Sequence, residues 1–214
     1  GDFWRALHNG RSKDGRLLYP AFPYTSTTQV TREDSDAIFA FLRSLPAVPS
    51  TVRTNTMRWP FNTQAALAVW RALYFQPAVF EPQADQSAEW NRGAYLVRGL
   101  GHCVACHSAR NVLGATSDAI ELGGGLIPVQ NWYAPSLASA REAGVAQWAT
   151  EDVMALLKSG TSAHGSVLGP MAEVVFRSTQ HLNGADLRAM ATFLKALPQI
   201  ETPTPTTTPP DSAT

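Results

Sequence analysis

Apolar side chains recur along this chain at the three- and four-residue spacing of helices that face a core, and only rarely in alternation. From Thr31 an acidic first turn, Glu33-Asp34, leads into Ile38, Phe39, Phe41, Leu42 and Leu45, and Pro46 stops the pattern, which predicts a capped helix. Thr150-Glu151-Asp152 opens a second helix, with Val153, Leu156 and Leu157 on one face and Gly160 just past its end. Asn183, with Asp186 three residues on, starts a third whose stripe is Leu187, Met190, Phe193, Leu194 and Leu197 before Pro198. A fourth is predicted over Ala88 to Leu100, and an apolar-rich one around Ala65 to Phe75. With no convincing alternating run, the predicted fold class is all-α.

The pattern also repeats. Residues 4–46, from Trp4-Arg5-Ala6-Leu7 to Phe41-Leu42-Arg43-Ser44-Leu45-Pro46, echo residues 154–198, which close on Phe193-Leu194-Lys195-Ala196-Leu197-Pro198. Gly10, Gly15 and Pro20 match Gly160, Gly165 and Pro170 at a constant offset of 150, and a small insertion precedes the matching final helices. The front of the chain thus reads as the rear half of a second copy of one domain: residues 1–49 the C-terminal half of an upstream domain, 50–87 an interdomain linker, 88–200 a complete domain. The linker holds Met57-Arg58-Trp59-Pro60-Phe61 and the Ala65 to Phe75 helix, too apolar to stay solvated. It is expected either to pack in the interface between the domains or to dock on a partner subunit or membrane surface. Residues 201–214, rich in Pro and Thr, read as an extended linker.

Composition narrows the function. Lys plus Arg equals Asp plus Glu at 17 each, so no field of one sign calls for nucleic acid or an anionic membrane, and no nucleic-acid partner is expected. Apolar runs such as Ala65 to Trp70 fall far short of the roughly 18 residues that cross a bilayer. The chain opens on Gly1 rather than Met, and processing or truncation is expected to have removed what preceded it. Its two cysteines both lie in one five-residue motif, Cys103-Val104-Ala105-Cys106-His107.

That motif carries chemistry. Two thiols separated by two residues can form thioethers to the vinyl groups of haem, and the adjacent imidazole then reaches the iron from the same face. Structural zinc would want a second Cys or His pair, and a dithiol redox site a strand-rich fold; c-type haem, held by Cys103 and Cys106 with His107 on the iron, is the expected cofactor. A sixth ligand is sought among four methionines. Met154 and Met190 fall in predicted helices and read as core, and Met57 lies in the linker. Met171 follows Gly169-Pro170 in a stretch expected to be non-helical, where a loop can cross an open haem face. Two readings of it stand, a thioether ligand that raises the reduction potential and a loop methionine capping an apolar cleft. His164 has three: a partner for a haem propionate, an alternative ligand, or an exposed loop histidine. Arg110 has two, a propionate partner or a solvated side chain, while His8, His102 and His181 read as surface or interhelical.

Arg92-Gly93-Ala94-Tyr95-Leu96-Val97, Gly101-His102-Cys103, Trp132-Tyr133-Ala134-Pro135, Gly169-Pro170-Met171-Ala172-Glu173-Val174-Val175 and Ser178-Thr179-Gln180-His181-Leu182 together resemble the triple-haem cytochrome c subunit of membrane-bound alcohol, gluconate and aldehyde dehydrogenases. Tyr19-Pro20-Ala21-Phe22-Pro23-Tyr24 is similar to that family's first cytochrome domain. The resemblance implies cytochrome c-like folds, with His107 and Met171 as axial ligands and the Pro135 carbonyl on the ring N–H of His107. It also implies Gly93 and Tyr95 packed on Phe193 and Leu194, and further haem c motifs before Gly1 and beyond Thr214. By the same resemblance the chain is a non-catalytic electron-transfer subunit that takes electrons from a catalytic dehydrogenase subunit to ubiquinone, periplasmic and peripheral to the outer face of the cytoplasmic membrane. In the alcohol dehydrogenase branch a methionine stands where this chain has Phe22, which cannot ligate iron, so the sixth ligand of the upstream haem is open. A di-haem peroxidase or a haem-based sensor is the competing class; both need a displaceable sixth ligand, against which Met171 argues.

Overall fold

Four side-chain caps set where helices begin. Thr31, Thr63, Ser87 and Asn183 each accept a hydrogen bond from the amide three residues on, at 2.8 to 3.2 Å. The computed structural model describes residues 1–51, 56–117, 120–127 and 130–200; the 201–214 linker expected from the sequence lies outside the described residues. In chain order the helices are α1 Asp2–Asn9, α2 Tyr24–Thr27, α3 Arg32–Ser44, α4 Gln64–Tyr74, α5 Ala88–Tyr95, α6 Val104–His107, α7 Thr150–Ser159, α8 Pro170–Arg177 and α9 Gly184–Lys195.

Two expectations hold in outline and gain detail. The helix expected over Ala88 to Leu100 is α5 followed by a wider turn, Leu96–Leu100, in which the Gly101 amide reaches five residues back to Leu96 at 2.6 Å. The chain is helix-rich but not purely α. Among the described residues two short antiparallel strand pairs form, β1 Gly125–Ile127 with β2 Trp132–Ala134 and β3 Thr161–Ser162 with β4 Gly165–Ser166, and single bridges Arg11–Leu17 and Arg110–Thr116 close two further hairpins. Strands of two or three residues leave no readable alternation.

The core lies where α5 crosses α9. Phe193, Ala191, Met190 and Leu194 of α9, Ala94 and Tyr95 of α5, and Val153 and Leu157 of α7 form one buried cluster. Gly93 makes the crossing possible: a Cβ there would stand 2.0 Å from the Ala189 carbonyl oxygen and 2.8 Å from Phe193 Cβ. Trp90 meets the Phe193 ring edge-on at 5.2 Å, and Arg98 lies 4.9 Å over the same ring while pairing with Glu121.

Contacts at the front of the chain recur at its rear. Gly10 ends α1 and Gly160 ends α7, both in the left-handed region at φ 55° and 78°. The buried Thr27 hydroxyl donates to the Leu7 carbonyl as Thr179 does to that of Leu157. Between front and rear, α4 ties onto the front segment. The Gln64 amide side chain bonds both the N–H and the carbonyl of Leu17 (2.8 and 3.2 Å), Arg71 donates to the Asn9 carbonyl and lies 4.8 Å over the Tyr24 ring, and Trp70 donates to the Leu113 carbonyl further along the chain. The outer face of the linker, including Trp59, Phe61, Val69 and Leu73, is exposed.

Candidate functional site

The α5–α9 crossing delivers the cysteine motif. After the wide turn, His102 adopts φ 39° and the Cys103 amide returns to the Val97 carbonyl, which starts the single helical turn of α6. The His107 amide bonds the Cys103 carbonyl at 2.9 Å, so Cys103 and Cys106, three residues apart, project from one side of that turn. Neither is in a disulfide. Burial pushes the Cys103 thiol up to about 12 and raises that of Cys106 as well, so both stay neutral thiols at physiological pH. Zinc takes thiolates, and among the described residues no group of three or more His, Cys, Asp or Glu gathers to hold it.

His107 is held by the β1–β2 hairpin. The Gly124 amide bonds the His107 carbonyl at 2.8 Å, and Gly125 packs so tightly on Ser108 that a Cβ would stand 2.2 Å from its carbonyl oxygen. The hairpin register pairs Gly125 with Ala134, which sets the next residue, Pro135, beside the imidazole. His107 Nδ1–H donates to the Pro135 carbonyl at 2.8 Å, leaving Nε2 as the free lone pair. Burial, only partly opposed by that bond, lowers the pKa of His107, so the ring is neutral and fit to bind a metal.

Met171 is not in a non-helical loop: it is the second residue of α8, whose first is Pro170. Proline at a helix's first position is itself a start signal. Gly169, at φ 53° and ψ −133°, turns the chain into α8, and its Cα faces the Trp132 ring so closely that a Cβ would lie 2.4 Å from it. Met171 is half-buried against the apolar cluster that also receives Cys103, Leu137, Trp148 and Met154. Met190 lies inside that cluster, and Met57 is exposed in the linker.

Other candidates have different occupations. His164 is an exposed residue of the β3–β4 turn that also stacks on Trp148 (4.2 Å, 19°), with its Nε2 3.2 Å from Asp152, so the nitrogen that would bind iron or a propionate is engaged. Arg110 is neither free nor aimed at an anion, since its guanidinium donates to the Ala105 and Gly114 carbonyls and braces the end of α6. His8 is interhelical, bonded to the Thr28 carbonyl and stacked on Trp4, whereas His102 and His181 are exposed. Phe22 is partly exposed. Tyr95 belongs to the cluster with Phe193 and Leu194, yet its ring meets Phe80 and its hydroxyl donates to Asp34 (2.5 Å) while accepting from the Thr31 amide.

These residues fit haem. Two neutral thiols share one side of a helical turn, the next residue offers a neutral imidazole with Nε2 free, and a thioether packs against the same cluster as one thiol. Trp132 and Tyr133 of β2, Val174 of α8 and Leu168 just ahead of α8 keep exposed apolar surface that a flat macrocycle would cover. Spacing along the chain does not announce the Arg98–Glu121 pair, and Gly169 ahead of Pro170 is the only local trace of the Trp132 contact.

No protein-family model matches the chain. Over 197 residues, 91% of its length, it is 42% identical to a subunit of the nicotinate dehydrogenase of Pseudomonas putida, of which it covers 16%. It is 38% identical to the cytochrome c subunit of the quinone-dependent alcohol dehydrogenase of Gluconacetobacter polyoxogenes, with 93% of this chain and 44% of that one aligned. To a dihaem c-type cytochrome of Cereibacter sphaeroides it is 37% identical, across 94% of this chain and 66% of the relative. The chain therefore spans less than half of the first two.

Proposed function

We propose that this chain, which belongs to the family of c-type cytochromes that includes the cytochrome c subunits of alcohol, gluconate and fructose dehydrogenases, relays electrons as a non-catalytic part of a dehydrogenase complex. The observation that carries the reading is the α6 turn: two thiols beside a histidine whose Nδ1 is already committed to the Pro135 carbonyl. Haem c supplies a reversible one-electron iron couple when bound. Cys103 and Cys106 would hold it as thioethers, His107 Nε2 and the Met171 sulfur would bind its iron, and the Pro135 carbonyl fixes the imidazole's tautomer. Leu137, Trp148 and Met154 pack against the same buried cluster as Cys103 and Met171 and give that side of the site an apolar surface.

The front segment, residues 1–49, is the rear half of a preceding domain. Supporting this, the exposed face of α3 carries Phe41 (63%), Leu42 (46%) and Leu45 (48%), whose repeat counterparts Phe193, Leu194 and Leu197 are 1%, 6% and 5% exposed where α5 packs near them. An upstream helix bearing a further haem c motif is the natural cover for that face. Phe22 leaves the ligand of that upstream haem to another side chain. Electrons enter from a catalytic dehydrogenase subunit and leave to ubiquinone at the periplasmic side of the membrane. Contact with the bilayer is peripheral, in keeping with the absence, among the described residues, of any helix long and apolar enough to cross it.

Absorption spectroscopy of the haem-loaded protein tests the reading. A Met–iron charge-transfer band near ~695 nm is expected in the oxidised form, and Met171→Ala abolishes it with haem still covalently attached. High-spin iron in the resting protein, or rapid turnover of peroxide, refutes the carrier assignment.

A further inference from the structure

We propose that His164 is a positioning residue: with Trp148 and Asp152 it latches the tip of the β3–β4 hairpin and so holds Met171 in place for the iron. The proposal rests on the reading of Met171 as an axial ligand and goes beyond it by naming what fixes that ligand.

From Gly160 to Met171 the chain has few anchors of its own. Thr161, Gly165, Ser166 and Leu168 are exposed, so burial does little to place this segment. Its fixed points include the Ser159 hydroxyl on Thr161, the Val167 amide on the Gly160 carbonyl (2.9 Å), Gly169 against the Trp132 ring, Met171 against the core cluster, and the tip. At the tip the His164 ring lies parallel to Trp148, 4.2 Å away, its Nε2–H donates to Asp152 in the first turn of α7, and its amide donates to Ser162 Oγ. Trp148 is a firm anchor, packed on the core cluster and with its carbonyl bonded by Lys195 of α9. The ring thus joins the hairpin to two points on its own domain, one apolar and one polar.

The front segment provides an internal comparison. Its matching hairpin carries Asp14 where the rear one carries His164, and Asp14 bonds Ser12 and Arg16 within the same turn. That tip is tied to α1 instead by Arg5, whose guanidinium donates to the Ser12 and Lys13 carbonyls. The segment following it carries Phe22, and the segment following the latched tip carries Met171. The two tips are held by different side chains, and the one that leads to Met171 is held by His164.

The test is a titration of the oxidised haem-loaded protein with imidazole, which competes with Met171 for iron. His164→Ala is expected to bind imidazole about tenfold more tightly, the scale of one stacking and one hydrogen-bond contact, and His164→Phe, which keeps the stack and loses Asp152, to fall between. In the Met171→Ala background, His164→Ala should leave imidazole affinity unchanged, a result that general loosening of the fold would not give. An affinity in His164→Ala equal to that of the parent overturns the latch while leaving the ligand assignment intact. A parent lacking the Met–iron band overturns both.

Discussion

Gly93→Ala puts the α5–α9 crossing to a quantitative test. The added methyl would sit 2.0 Å from the Ala189 carbonyl oxygen and 2.6 Å from its carbon. Reaching the ~3.3 Å of a close C–H···O contact requires the helices to part by at least about 1.3 Å. The obstacle is backbone, so no rotamer change relieves it, and Phe193, whose Cβ would be 2.8 Å away, must move as well. Overpacking of this kind costs up to about 3 kcal/mol. Replacing glycine by alanine inside a helix returns ~1 kcal/mol of intrinsic propensity, which leaves a net loss of about 2 kcal/mol. For a chain of this size that is a fall of roughly 4–8 °C in melting temperature, read by circular dichroism of the haem-loaded protein and checked by urea unfolding at unchanged m-value. Gly184→Ala is the control: a Cβ there meets nothing within 4 Å, and stability should stay level or rise slightly. If Gly93→Ala proves as stable as the parent, the helices do not cross as closely as described.

Three further outcomes follow from other parts of the structure. Cys106→Ser leaves one thioether, and the pyridine haemochrome spectrum should move to the longer wavelength of a single covalent link; an unmoved spectrum would place the attachment elsewhere. Burial and the Asp34 carboxylate both raise the pKa of Tyr95 above its ordinary 10.0. The neutral phenol is therefore the form the fold prefers: its contact is intact below pH 10, is lost as pH rises through the raised value, and gives a late step in tyrosinate absorbance that Tyr95→Phe removes. Arg98 and Glu121 are 25% and 31% exposed and joined by two hydrogen bonds of 2.5 and 2.6 Å. A double-mutant cycle to alanine should return a coupling of about 1 kcal/mol, and a value near zero would mean that solvent screens the pair.

What can be read in the sequence follows from how far each signal acts. Thr31 and Asn183 cap helices by contacts within three residues, so their starts are visible, as is the Gly160 stop. The cysteine motif is equally plain, because thioether chemistry fixes its own spacing. Met171 stands out among the methionines, but its surroundings do not: Pro170 resembles a breaker when at a helix's first position it is a starter. The wide turn at Leu96–Leu100 depends on Gly101 closing back on Leu96 while Arg98 reaches Glu121, and partners 23 residues apart leave no local trace. The same holds for His164, whose hold on Trp148 and Asp152 spans three segments that the sequence does not connect.

Gln64 has a role beyond joining the linker to the front segment. The hairpin that includes Leu17 is too short to belong to a sheet, and its outward N–H and carbonyl would otherwise be an open template on which another polypeptide could add a strand. One side-chain amide, matching a peptide unit donor for acceptor, fills that position. With that position filled by a single residue on a helix, Gln64→Ala would reopen it to an incoming strand, and the expected outcome is a loss of solubility on storage.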